Sequence, residues 1–150
     1  MTYLQELETI AAANNGLLRA ADVIAFAVDE STALHSRFTW DDDEAAHQYR
    51  LYQARNLIRV TVSMLPRVKQ EYRAFVSLKS DRYSGDGGGY RVTANVLSSK
   101  ERRAELLENA LEDLEVFQQK YRMLTELAPV FGAASQVAAQ KRKASKAKES

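Results

Sequence analysis

One short segment concentrates the side chains that most often perform chemistry in proteins. Residues 34–58, LHSRFTWDDDEAAHQYRLYQARNLI, contain both histidines of the chain, its only tryptophan and four consecutive acids. Imidazole and carboxylate groups ligate zinc and other divalent metals. The candidate ligands are His35, Asp41, Asp42, Asp43 and His47. Their spacing does not fit a metal site, because consecutive aspartates at a helix start point in different directions and no HExxH pattern occurs.

The acids of this segment fit the beginning of a helix better. A carboxylate at Asp41 can accept hydrogen bonds from free N–H groups of the first turn, and Glu44 completes a capping-box spacing. Asp42 and Asp43 place further negative charge at the positive end of the helix dipole. Trp40, just before the cap, can pack back on the helix. We therefore predict that Asp41 caps a third helix.

Other catalytic patterns are missing from the sequence. The chain has no cysteine, which excludes disulfides, thiol nucleophiles and cysteine-ligated zinc. It has no GxSxG pattern, and its glycine-rich segment lacks both the GxxxxGKS/T phosphate loop and the dinucleotide fingerprint. We expect no enzymatic activity, no cofactor and no metal.

The glycine-rich segment KSDRYSGDGGGY, residues 79–90, is predicted to be a loop. Hydrogen-bonding and stacking side chains lie at both of its ends, and loops with such side chains often bind other molecules. The predicted contacts to a ligand or a partner chain are Asp81, Arg82, Tyr90 and Arg91. The alternative is a plain connection between a β-hairpin and a helix.

Composition indicates an ordinary soluble protein. The 150 residues are 45% hydrophobic and 27% charged, and the net charge of +1 gives no strong field to attract nucleic acid. The longest apolar runs are too short to span a bilayer, and residues 1–15 lack the basic start and apolar core of a signal peptide. We expect a cytoplasmic protein without membrane contact.

Hydrophobic periodicity predicts an α+β fold that is mainly helical. The predicted elements are helices at 3–13, 17–28 and 41–59, a two-stranded hairpin at 60–64 and 72–78, the glycine loop, and helices at 98–127 and 129–139. Ser98 with Glu101 forms a capping box at the start of the long helix. The predicted divisions are a winged-helix-like domain at 1–97, a helical element at 98–139 and a basic, disordered tail at 140–150.

The order of these elements favours contact with DNA. Three helices followed by a hairpin are typical of a winged helix, in which the third helix and the wing touch DNA. The predicted DNA contacts are Arg50, Gln53, Arg55 and Arg59 of the third helix, Arg67 and Lys69 of the wing, and Lys141, Arg142 and Lys143 of the tail. The acids at the helix start repel phosphates, so only its middle and C-terminal half fit this role. Alternatively, the arginines face solvent or pair with Glu6 and Glu8 of the first helix.

The long helix carries an apolar row with alternating spacings of three and four residues. The residues predicted to mediate self-association are Leu107, Leu114, Phe117, Tyr121 and Leu124. Such a row favours a coiled-coil homodimer. Leu106 and Leu111 widen the row, so packing on the protein's own core is an equal alternative.

Two segments resemble a family of small proteins from tailed phages and prophages. The family pattern reads LHxxFxWDDxxAAxxYRxxxARxLI, then VSLxxDR and GGYR, then a leucine-rich helix, and the resemblance spans residues 17–127. The family has no assigned activity, so the resemblance implies a viral accessory or structural role and transfers no catalytic residue. It also singles out residues 40–44 and the loop residues Asp81, Arg82, Gly88, Gly89, Tyr90 and Arg91.

These observations lead to one main hypothesis and two alternatives. The first is a non-enzymatic, phage-encoded accessory protein that dimerises through its long helix and binds DNA weakly. The second is a virion or assembly protein that acts only through contacts with phage or host proteins. The third is an inhibitor of a host enzyme. We expect the protein in the host cytoplasm, with virion association under the second hypothesis.

Overall fold

The structure, a computed structural model, describes residues 1–40, 43–64, 69–83 and 88–149. The fold is α+β and mainly helical, as the sequence predicted. The chain divides into two compact units, residues 1–103 and 104–150. We call the first unit the body and the second the helical hairpin.

The first helix of the body has clear local causes. Helix α1, Tyr3–Ala13, begins after Thr2, whose side chain accepts from the Gln5 N–H while the Gln5 side chain accepts from the Thr2 N–H. It ends before Asn15 and Gly16, whose φ values of 55° and 82° are left-handed. The capping box and the following turn therefore define both ends of α1.

The predicted second helix begins later than its periodicity indicated. Leu17–Leu18 form a strand, β1, and helix α2 covers only Ala20–Ala27. The two leucines are extended because they pair with a strand from the far end of the glycine loop, and both are buried. Apolar spacing could not distinguish this short buried strand from a helix start.

The third helix, α3, covers Glu44–Val60, and its predicted cap at Asp41 is wrong. The N-cap is Asp43, whose Oδ1 accepts from the Ala46 N–H at 2.7 Å. Asp41 and Asp42 lie outside the described residues. Any aspartate can cap a helix, so the sequence does not show which of three consecutive aspartates is the N-cap. Tertiary packing determines it.

Four strands follow α3: β2 at Val62–Met64, β3 at Glu71–Arg73, β4 at Phe75–Val76 and β5 at Tyr90–Val92. β2 and β3 form the predicted antiparallel hairpin, with Val62 opposite Arg73. A second sheet has the order β1–β5–β4, with Leu17 opposite Arg91 and Phe75 opposite Val92. Strand β5 therefore joins the start of the chain to the hairpin region.

Ala74 links the two sheets. Its N–H donates to the Thr61 carbonyl at 2.9 Å, and its carbonyl accepts from the Thr93 N–H at 2.8 Å. The strand region ends at Val76 rather than at the predicted Leu78, which precedes a short helix, α4, at Lys79–Arg82. The predicted loop at 79–90 thus begins with a helical turn and ends inside β5.

The core of the body is one cluster of side chains from the helices, β1 and the residues around β4. Its buried members are Leu7, Ile10, Ala11, Leu18, Val23, Ile24, Ala27, Leu34, Phe38, Ala54, Ile58, Ala74 and Phe75. The core positions on α1 and α3 are three or four residues apart, which is the helical periodicity read from the sequence. All these residues precede the helical hairpin.

A short helix, α5 at Thr93–Ser98, precedes the long helix. The N-terminal cap predicted at Ser98 for the long helix is therefore wrong. Ser98 lies inside α5, where its hydroxyl donates to the Asn95 carbonyl. Ser99 instead accepts from the Arg102 N–H, and helix α6 covers Lys100–Tyr121. The capping box therefore does not form at Ser98.

The long helix predicted to reach residue 127 ends at Tyr121. A single 3-10 turn, Thr125–Leu127, leads into helix α7, Ala128–Glu149. Two corrections follow. Leu124 lies beyond α6, so it cannot continue a straight seam with Leu114, and the tail predicted to be disordered is helical through Glu149.

Candidate interaction surfaces

The two ends of the glycine loop are joined by an ion pair. Arg91 of β5 donates to both carboxylate oxygens of Asp81 in α4, at 2.8 Å and 2.7 Å. The Asp81 side chain is 6% exposed and that of Arg91 is 18% exposed. Bidentate geometry of this kind is strong and directional. These two predicted ligand contacts therefore contact each other and fasten the loop to the sheet.

Local geometry also explains why the described positions 88 and 89 of the loop are glycines. Gly88 has a φ of 78°, which disfavours residues with a Cβ. A Cβ on Gly89 would lie 2.7 Å from the Leu17 Cδ1, because β1 packs closely against this point. Tyr90 packs against the core, and exposed Arg82 donates to the Ser77 carbonyl at 3.1 Å. Gly85 and Gly87 lie outside the described residues.

Trp40 is the centre of a second cluster. Its indole Nε1–H donates to the His35 carbonyl at 3.0 Å, and its ring stacks on the His35 imidazole with centroids 4.9 Å apart. The Arg50 guanidinium lies 5.5 Å from the centre of the indole ring. This cation–π contact ties α3 to the segment before it.

Two residues predicted to contact DNA take part in the same attachment. Arg50 Nη1 donates to the Thr39 carbonyl at 3.2 Å, and Gln53 Oε1 accepts from the Thr39 N–H at 3.3 Å. Both side chains therefore hold Thr39 and Trp40 against α3. Arginine and glutamine can hydrogen-bond to the edges of DNA bases, but here Arg50 and Gln53 hydrogen-bond to the backbone of Thr39.

Glu6 is a buried carboxylate, and the sequence offered it as one possible partner for the arginines of α3. Its two oxygens accept from the Ala33 and Leu34 N–H groups, each at 2.9 Å. It therefore satisfies the backbone of the segment after α2 rather than an arginine of α3. A signal was present in the sequence, since Glu6 falls beside Leu7 and one turn before Ile10, on the apolar face of α1.

Asp29 lies in a local turn in the segment that follows α2. Its carboxylate accepts from the Ser31 hydroxyl at 2.7 Å and from the Ser31 N–H at 2.9 Å. These hydrogen bonds, the hydroxyl first, lower the pKa of Asp29 below its ordinary value of 3.8. The same hydrogen bonds hold the turn and favour the ionised carboxylate.

A polar row remains on the exposed face of α3. Gln48, Tyr52, Arg55 and Arg59 recur at spacings of four, three and four residues and are all exposed. The Tyr52 ring stacks with Tyr49 at a centroid distance of 6.3 Å. Lys69 of the predicted wing is exposed, and Arg67 lies outside the described residues. Of the predicted DNA contacts on α3, Arg55 and Arg59 lie on this exposed face, with Gln48 and Tyr52 beside them.

The helical hairpin is held together at its two ends. Near the turn, the Phe117 ring packs on Tyr121 and on Phe131, with centroid distances of 4.9 Å and 6.2 Å. At the other end, the Lys141 ammonium lies 3.2 Å from the Ala104 carbonyl oxygen and 3.5 Å from a Glu108 carboxylate oxygen. One long side chain therefore bridges the helices where they are farthest from the turn.

A cleft of about 750 Å³ lies between α6 and α7 and extends past the Lys141 contact as far as Lys146. Its apolar lining comes from Leu111 and Leu114 of α6 and from Ala134 and Ala138 of α7, because the small alanines leave space opposite the leucines. The charged lining is acidic on α6 and basic on α7: Glu108, Glu112, Glu115, Lys141, Arg142 and Lys146. The cleft is therefore apolar inside with oppositely charged margins.

Most apolar side chains of the hairpin are uncovered. Phe131 is the one hydrophobic residue that is buried among the described residues of this unit. Leu107, Leu114 and Phe117 are 41%, 37% and 43% exposed, and Tyr121 is half-buried. The residues predicted to mediate self-association are thus accessible on α6, apart from Leu124, which is exposed in the turn.

In the described parts of the chain, no group of three or more histidine, aspartate and glutamate side chains is placed to hold a metal ion. No helix there combines the length and apolarity needed to cross a membrane. The residues that remain as candidates are those of the α3 row and the hairpin.

Comparison of the chain with protein-family models, with curated proteins and with solved structures finds no match. The resemblance to tailed-phage proteins stays a prediction. The function has to be argued from the surfaces.

Proposed function

We propose that this protein is a non-enzymatic assembly or adaptor protein that binds other protein chains through its helical hairpin. The observation that carries the proposal is the uncovered apolar lining of the cleft and of the adjacent α6 face. The phage resemblance supports a role in the virion or in its assembly. Partners would then be phage or host proteins.

The described residues of the hairpin bury little apolar surface. Two helices derive most of their stability from the apolar face that they bury, and among these residues one hydrophobic side chain, Phe131, is buried. Removing apolar surface from water contributes about 25 cal/mol per Å², so a partner that covers Leu107, Leu114 and Phe117 is favoured. Contiguous exposed apolar surface of this kind marks interaction sites.

DNA contact is the second candidate, favoured by the exposed row on α3. Arg55 and Arg59 are placed to neutralise phosphates, and the adjacent Tyr52 can stack. The row on α3 is short, because Arg50 and Gln53 are engaged within the body. Of the predicted contacts in the tail, Lys141 lies against Glu108. Any binding should therefore be weak and strongly dependent on salt.

Site-specific photo-crosslinking tests the main proposal. A photoreactive phenylalanine analogue replaces Leu114 in the cleft, or Asp113 as a matched control. Residues two apart on a helix are about 200° apart, so Asp113 faces away from Leu111 and the cleft. In cells that produce the protein with its natural partners, we expect cross-links to protein chains from position 114 and few from position 113. Equal or absent cross-linking at the two positions contradicts the proposal.

Fluorescence anisotropy tests the second candidate. The double substitution Arg55→Ala/Arg59→Ala should weaken binding to duplex DNA and flatten its salt dependence by about two phosphate contacts. The control substitution Glu71→Ala, on the exposed face of β3, should not weaken it. Unchanged affinity in the double variant removes α3 from consideration.

A further inference from the structure

We infer that the cleft of the helical hairpin is occupied by a second copy of this chain. Two hairpins would form a four-helix bundle about a two-fold axis parallel to the helices, with both turns at the same end. This inference rests on the proposed function, because it names the partner that covers the hairpin.

The apolar surfaces of two copies complement each other. The alanines at 134 and 138 leave the cleft open opposite Leu111 and Leu114. Leu107 and Phe117 project from α6 and are more than 40% exposed. In a bundle of two hairpins, such projecting side chains enter the space that the partner's alanines leave, as large residues pack against small ones in bundle cores.

The charges are separated between the two helices. Residues 105–115 of α6 contain five acids and no base, namely Glu105, Glu108, Glu112, Asp113 and Glu115. Residues 141–148 of α7 contain five bases and no acid, namely Lys141, Arg142, Lys143, Lys146 and Lys148. Because α6 and α7 are antiparallel, the contact between Lys141 and Glu108 places the start of the basic segment level with the start of the acidic one.

The separation of acidic and basic residues between α6 and α7 favours a two-fold axis parallel to the helices over one perpendicular to them. With the axis parallel to the helices, each α6 lies beside its own α7 and beside the partner's α7. Residues 128–148 of α7 contain no acid, so in both cases the acidic segment meets neutral and basic residues. With the axis perpendicular to the helices, α6 lies antiparallel to the partner's α6. The acidic segment is at the middle of α6, so two acidic segments would then meet, and like charges across an interface are unfavourable.

Spin labels in the turn distinguish the two arrangements. The chain has no cysteine, so Met123→Cys gives a single labelling site, and Met123 is exposed in the turn. Light scattering of the purified full chain should show a dimer, and pulsed electron paramagnetic resonance should show a short distance between the two labels. In the perpendicular arrangement the labels are separated by roughly the length of α6, which has 22 residues, or about 33 Å at 1.5 Å per residue.

A matched pair of substitutions tests the interface itself. Leu114→Asp places a charge in the cleft and should raise the dimer Kd roughly 30-fold or more, as expected for a central apolar contact. Val116→Asp makes a similar change on the same helix outside the cleft lining and should leave the Kd within a few-fold. Helical circular dichroism at high concentration shows whether both variants keep α6.

The possible results separate this inference from the proposed function. A dimer with short label distances and sensitivity to Leu114→Asp supports it. A dimer with long distances overturns the arrangement, and equal effects of the two substitutions overturn the interface. A monomer whose position 114 still cross-links to other proteins overturns the second copy and leaves the proposed function standing, whereas a monomer without such cross-links overturns both.

Discussion

At the scale of single residues, the side chains that match the phage-protein pattern mainly contact one another. Asp81 pairs with Arg91, Gly89 packs under Leu17, and Trp40 contacts Arg50. A pattern of polar and glycine residues in a loop suggests a binding site when read alone. Here the same residues are explained by a buried ion pair and a close approach of strands.

Breaking the Asp81–Arg91 pair should destabilise the protein. Arg91→Met leaves a carboxylate that is 6% exposed without its guanidinium partner, and we expect a loss of about 3 kcal/mol in the free energy of unfolding. Urea denaturation measures this loss. The control Arg82→Met removes an exposed arginine from α4, the helix that contains Asp81, and should cost no more than about 0.5 kcal/mol. Equal losses would show that the ion pair has no special role.

The lowered pKa of Asp29 predicts a dependence of stability on pH. Because hydrogen bonds from Ser31 hold the folded-state pKa below 3.8, the contribution is present above the unfolded pKa and lost as pH falls through the folded pKa. Thermal unfolding should therefore show wild-type protein as more stable than Asp29→Asn near pH 6. The difference should shrink below pH of about 3.8. A constant difference down to pH 2 contradicts the assignment.

At the scale of elements, α3 shows how one helix serves two surfaces. Its inner side holds Ala54 and Ile58 in the core, and Arg50 and Gln53 fasten the Thr39–Trp40 segment. Its outer side carries Tyr52, Arg55 and Arg59. Sequence spacing separates apolar from polar positions, but it does not tell which polar side chain bends back to the protein.

Arg50 and Arg55 should therefore differ in their effect on stability. Arg50→Met removes the guanidinium from Trp40 and from the Thr39 carbonyl, and we expect a loss of about 1–2 kcal/mol. Tryptophan fluorescence should change as well, because the chain has a single tryptophan. Arg55→Met, on the exposed side, should leave both signals unchanged. A change of equal size in both variants would contradict the attachment described for Arg50.

At the scale of the whole molecule, the two units differ in how well they are packed. Every member of the main core cluster precedes residue 103, whereas the helical hairpin buries Phe131 among its described hydrophobic residues. A unit with its own core can fold alone, and a pair of helices without one depends on a partner.

Truncation tests this difference directly. A chain of residues 1–103 should keep a cooperative thermal transition, because it retains the whole core cluster. A chain of residues 104–150 should show little helix at micromolar concentration and gain helix as its concentration rises, since isolated helices are marginal in water. Loss of the cooperative transition in the first chain would show that the hairpin is part of the folding unit.

Much of the fold was predictable because its causes are local. The apolar periodicity of α1, α3 and α6, the β2–β3 hairpin and the absence of disulfides could all be read from neighbouring residues. Two of the errors occurred where residues of one type compete, as at Asp41 against Asp43 and Ser98 against Ser99. Capping energies of similar residues differ little, so packing chose among them.

The sequence by itself determined the amphipathic helices, the alternating strands and the two charged segments of the hairpin, since each follows from spacing along the chain. The tertiary structure alone decided that Leu17 pairs with Arg91 across the sheet, that Asp81 meets Arg91, and that Glu6 binds the backbone at Leu34. It also decided that the long helix ends at Tyr121 and returns as α7. Such contacts join residues distant in sequence, and their free energy depends on the burial and geometry that the whole fold creates rather than on any local pattern.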